Sequence, residues 1–153
     1  MPESPQPLSL PIDDALSLAI IQAWDELSVV TMPHAIRVEY LGEAGLAVAQ
    51  LTVWLVSGGG YQERICDYRL AAASDRPPEW RCWTRLRSPR LTAVVDFIVR
   101  NQKRFSRPPS ANPSGLVVVF PPTAEQRAEA ASWIAGNGLE RPAVPRARAA
   151  AFG

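Results

Sequence analysis

The run from Leu46 to Val56 constrains this fold more than any other segment, because it is apolar at nearly every position and is interrupted only by Gln50 and Thr52. It falls well short of the roughly 20 apolar residues a membrane helix needs, and no other apolar run in the chain is longer. Apolar character on both faces suits a strand in the middle of a sheet. On either side the hydrophobic period is two. Ile36, Val38 and Tyr40 alternate with Arg37 and Glu39, a half-buried strand that turns at Gly42 to Gly45. On the other side Ser57-Gly58-Gly59-Gly60 suits a hairpin turn, since glycine adopts positive φ without strain. From Tyr61 to Leu70, Gln62, Arg64, Cys66, Tyr68 and Leu70 share one face, with Glu63, Ile65, Asp67 and Arg69 on the other.

Helical periods bracket these strands. Pro11 suits a first turn, Asp13 and Asp14 suit a helix N-terminus, and Ile12, Leu16, Ala19, Ile20, Ala23 and Leu27 form one apolar face. Leu18, Ile21 and Trp24 widen that face beyond what a surface helix needs, so this helix is either sandwiched within the domain or covered by a partner. After a proline-containing loop at Ser74 to Pro78, Trp80 to Leu86 reads as a fourth strand. Ser88-Pro89 then starts a second helix to about Phe105, with Leu91, Val94, Val95, Ile98 and Phe105 inward. Residues 106–114 read as loop, and Gly115 to Phe120 as a short strand whose Val117, Val118 and Val119 are too hydrophobic for a sheet surface. Thr123 and Gln126 form a capping box that opens a third helix, which Gly136 and Gly138 close.

The fold class is therefore α+β: an N-terminal helix, a four-stranded antiparallel meander, a helix, a short fifth strand and a C-terminal helix. At 153 residues the chain makes one domain, expected at 11–137 between flexible tails at 1–10 and 138–153. Core size demands no disulfide or metal staple.

This element order is similar to the core of restriction-endonuclease-like nucleases. That resemblance implies an Asp and a Glu on a divalent metal, with a lysine from an E-x-K motif on an adjacent strand. The one lysine here, Lys103, falls in the second helix and outside any such motif. Glu63 and Asp67, at i and i+4 on a strand, stand about 13 Å apart, too far to share one metal. Other catalytic material is thin. His34, the only histidine, precedes the first strand and has no local partner. One histidine with two separated cysteines builds no zinc site without carboxylate help. The glycine turn is not followed by Lys and Ser/Thr and opens no helix, so it is no phosphate cradle. No cofactor and no metal is expected, and the balance is against an enzyme.

Charge is distributed unevenly behind a net of +1. Residues 1–63 carry eight acids against one base, and residues 64–153 carry fifteen bases against seven acids. Either the two halves neutralise each other across the fold, or a basic face meets an acidic partner or polyanion. The candidate binding residues are Trp80, Arg81, Arg85 and Arg87 on the fourth strand, with Arg90, Arg100, Lys103, Arg104 and Arg107 on or just beyond the next helix. Trp80 and Trp83 interleave with the strand arginines, as stacking on bases would require, and Trp80 and Trp24 are the tryptophans expected to be partly exposed.

Cys66 and Cys82, without a CxxC, read as buried thiols of a reducing compartment, and the opening MPESPQPLSL lacks a secretory pattern. The expectation is a cytoplasmic, non-catalytic interaction protein that binds a protein partner or self-associates. An arginine-rich nucleic-acid-binding protein is the alternative, and an enzyme with an unrecognised site the third.

Overall fold

A computed structural model describes residues 10–28, 32–43, 46–70, 79–82, 88–101, 104–105 and 114–139. In chain order the elements are α1 (Ile12–Leu27), β1 (Ala35–Glu43), β2 (Leu46–Val56), β3 (Gln62–Arg69), β4 (Glu79–Cys82), α2 (Pro89–Arg100), β5 (Ser114–Val119) and α3 (Ala124–Gly136). This is the expected α+β order.

The five strands form one sheet in the order β4-β3-β2-β1-β5, and every neighbouring pair is antiparallel. β1 to β4 are the expected meander. β2, apolar on both faces, sits centrally, while the passage through α2 carries the chain to the far edge, where β5 pairs with β1. At the β2–β3 turn the Gly60 N–H donates to the Ser57 carbonyl at 3.0 Å, and Gly60 takes φ +91°, which glycine tolerates for want of a Cβ.

Register assigns the faces. Ile36, Val38 and Tyr40 of β1 lie opposite Leu55, Val53 and Leu51 of β2, and all six are buried. The same row continues through Val53 and Leu51 to Cys66 and Tyr68, and from these to Cys82 and Trp80 across the β3–β4 pair. The helices cover this face. α1 packs on α2, α3 and β5, and α2 packs on β2. That placement resolves the over-wide apolar surface of α1: ten of its residues are buried, Trp24 among them at 6% exposure. The helix is sandwiched within the domain, so the expectation of a partly exposed Trp24 is corrected, and α1 offers no apolar patch to a partner.

Two further departures have local causes. α2 ends at Arg100 rather than near Phe105, because Asn101 caps it: its side-chain amide donates to the Phe97 carbonyl at 2.9 Å. Phe105 is nevertheless buried, edge-on to Phe97. In β3 the register slips between Val53 and Trp54, whose partners are Cys66 and Arg64, leaving Ile65 as an extra residue. Glu63 is thereby opposite Leu55 on the helix side, whereas Asp67 is opposite Thr52 on the other. The two carboxylates do not share a face, as strict alternation had implied.

Capping follows the sequence. The Ser88 hydroxyl accepts from the Leu91 N–H at 3.1 Å and donates to Glu26 at 2.6 Å, so the start of α2 is tied to α1. At α3 both halves of the Thr123–Gln126 box are made. Asp25 and Arg127 pair at 3.2 Å and Glu26 and Arg90 at 3.4 Å, joining acids of the first half to bases of the second.

Candidate functional site

The face of the sheet turned away from the helices is the candidate site. Alternation places Arg37, Glu39 and Leu41 of β1 on it, with Thr52 and Trp54 of β2, Arg64 and Asp67 of β3, Arg81 of β4, and Leu116 and Val118 of β5. Its middle is fixed by cross-strand pairs. The Arg37 guanidinium lies 4.9 Å from the Trp54 ring centroid, in cation–π range. Arg37 also meets Glu39 at 3.2 Å, and the Trp54 indole N–H donates to the same carboxylate at 3.2 Å. Beside this group the Thr52 hydroxyl donates to Asp67 at 2.6 Å, and both residues are buried.

Toward β5 the face becomes apolar and open. Leu116 is 53% exposed, Val118 44% and Leu41 43%, and Phe120, next in the alternation past the end of β5, is 57% exposed. His34 stands edge-on to Phe120 at 5.9 Å and is itself exposed. The expectation that Val117, Val118 and Val119 are all too hydrophobic for a sheet surface is corrected. Val117 and Val119 are buried against the helices, whereas Val118 is turned to the opposite face of the strand and is exposed.

The residues singled out in the sequence are not gathered at one place. Trp80 is on the helix side, half-buried and packed at a 55° tilt against Tyr68, 5.0 Å between ring centroids. Arg81 is on the face turned away from the helices and meets Glu79 at 3.7 Å. Arg90 and Arg100 stand at opposite ends of α2, about 15 Å apart along its axis, the first paired with Glu26. Arg104 donates to the Asn101 side chain at 3.2 Å. Arg85, Arg87, Lys103 and Arg107, like Trp83, lie outside the described residues. Sequence reasoning missed Arg37, Glu39, Trp54, Leu116 and Phe120. An Arg-x-Glu alternation facing a tryptophan strand was their one legible signal, and it needed the β1–β2 register to be read.

A second polar group is internal. The Tyr68 hydroxyl, the Trp80 indole N–H and one carboxylate oxygen of Asp96 are buried and make no hydrogen bond. Burial, and then the Asp96 charge, push the Tyr68 phenol up to about 12, with Arg100 acting against them. Burial also raises Asp96, again opposed by Arg100. Among the described residues no three His, Cys, Asp or Glu side chains converge as metal ligands would, and no helix is long and apolar enough to cross a membrane.

No family model, no curated protein and no solved structure matches the chain.

Proposed function

We propose that this chain is a non-catalytic interaction domain that binds another protein through the face of its sheet turned away from the helices. The observation that carries this reading is the exposed apolar row Leu116–Val118–Phe120, with Leu41 alongside, set next to the braced Arg37–Trp54–Glu39 group. An apolar centre beside tryptophan and arginine has the chemistry of protein-binding hot spots. Bracing matters too, because side chains already held in place lose little freedom on binding.

A protein partner is supported over a nucleic acid by how the arginines are used. Arg37, Arg81 and Arg90 each meet a carboxylate of this chain, and Arg81 and Arg90 belong to different sides of the domain. A phosphate-tracking surface needs cations that are uncommitted and contiguous.

The test is a photo-crosslinking amino acid placed singly at Glu39, at Leu116 and, as a control on the exposed surface of α3, at Ser132. The reading predicts protein adducts from positions 39 and 116 in the native cell and none above background from 132. Adducts to nucleic acid, adducts equal at all three positions, or none anywhere would overturn it.

A further inference from the structure

The chain has two cysteines, sixteen positions apart, and the register brings them to one rung: Cys66 of β3 lies directly opposite Cys82 of β4. Opposed residues of an antiparallel pair turn to the same face, with Cα atoms about 4.5–5.5 Å apart. That spacing falls inside the roughly 4.4–6.8 Å over which a disulfide can bridge two Cα atoms. The next rung on the same face is Tyr68 opposite Trp80, whose rings pack at 5.0 Å between centroids. On this face, then, side chains of β3 and β4 reach one another across the pair.

We infer that Cys66 and Cys82 are a redox switch, closing a cross-strand disulfide that fastens β4 to β3. The inference is independent of the binding face proposed above. The oxidant is a low-molecular-weight disulfide such as that of glutathione. One cysteine thiolate attacks a sulfur of the oxidant, forms a mixed disulfide and releases one glutathione as thiol. The other thiolate attacks the protein sulfur of that mixed disulfide and releases the second. Two protein thiols are oxidised, glutathione disulfide is reduced to two thiols, and the two thiol protons pass to the departing glutathiones. Cys66, at 2% exposure, is suited to the second step, which is intramolecular, so that no small molecule has to reach it. Reversibility follows from the spacing. Opposed Cβ atoms stand about 4.5–5.5 Å apart, and a disulfide draws them to about 3.8 Å. A bridge that strains its strands in this way is easily reduced, as regulatory disulfides are and structural ones are not. Closing it ties a four-residue strand and the chain between the two cysteines into one loop.

The test equilibrates the full chain, prepared with both thiols reduced, in glutathione buffers running from mostly thiol to mostly disulfide, followed by alkylation and trypsin. The expected product is peptide 65–69 joined to peptide 82–85, rising with the disulfide fraction and separating again when glutathione thiol is restored. Cys66→Ala and Cys82→Ser should each abolish it, leaving at most glutathione on the remaining cysteine, with circular dichroism confirming that each variant is folded. The bridged chain should unfold at a midpoint roughly 5–10 °C above the reduced chain. Hydrogen exchange at 79–82 should slow on oxidation, with 124–136 unchanged. Glutathione on both cysteines without a link, disulfide between chains, no oxidation of the folded protein, or a bridge that excess thiol does not reopen would each overturn the inference. So would a bridged chain whose midpoint and exchange at 79–82 match those of the reduced chain.

Discussion

Tyr40 of β1 lies across Gly115 of β5, and its hydroxyl donates to Asp13 of α1 at 2.5 Å. One side chain thus joins the edge strand, its neighbour and the first helix. The space over position 115 is filled by the Tyr40 ring, so a Cβ there would overlap it. Gly115→Ala should therefore destabilise the domain by about 1–3 kcal/mol, the usual cost of overpacking a filled site. Denaturant unfolding reads this directly. Tyr40→Phe keeps the ring and loses the hydrogen bond, and should cost less, about 1 kcal/mol.

The link between α1 and α2 depends on Ser88, which caps α2 while donating to Glu26. Ser88→Ala removes both bonds, and a loss of about 0.5–2 kcal/mol is expected. Ser88→Asp keeps a capping acceptor but sets a second carboxylate against Glu26, so it should not restore the full stability. Thermal unfolding of the three proteins at one pH separates the two contributions.

Asp96 makes stability depend on pH. Its folded-state affinity for a proton is raised by burial, so the folded state favours the neutral acid. The resulting stabilisation is complete below the ordinary carboxylate range and is lost as pH rises through the raised value. Asp96→Asn should therefore be more stable than the parent at neutral pH, with an advantage that shrinks on acidification. The same substitution removes the charge that helps hold the Tyr68 phenol at about 12. Phenolate absorbance should then show the Tyr68 titration moving down.

Polyanion binding should be weak. Were the basic residues on and beyond α2 to contact about four phosphates of duplex, log affinity would fall against log salt with a slope of about −3.6. Fluorescence polarisation with labelled single- and double-stranded nucleic acid should give no such slope. A slope of that size, abolished by neutralising Arg100, Lys103, Arg104 and Arg107, would restore the nucleic-acid alternative.

Periodicity and capping made the elements legible. The apolar run at 46–56 announced a central strand, and Ser88-Pro89 and Thr123–Gln126 announced two helix starts. What periodicity cannot carry is which edge a late strand joins. β5 pairs with β1 rather than β4, which sets Leu116 and Val118 beside Glu39 and Arg37. Trp24 was misread for a related reason: a wide apolar stripe looks alike whether a partner or the chain's own helices cover it. The site was less legible than the fold. Arg37, Trp54 and Glu39 are brought together by cross-strand register, and the bulge at Ile65 shows that one inserted residue reassigns the faces beyond it.

Photo-crosslinking in the native cell tests the central claim most directly: that this protein meets a protein partner on the face of the sheet turned away from the helices. The account predicts protein adducts from positions 39 and 116 and none above background from position 132. Adducts to nucleic acid, adducts equal at all three positions, or none anywhere would contradict it.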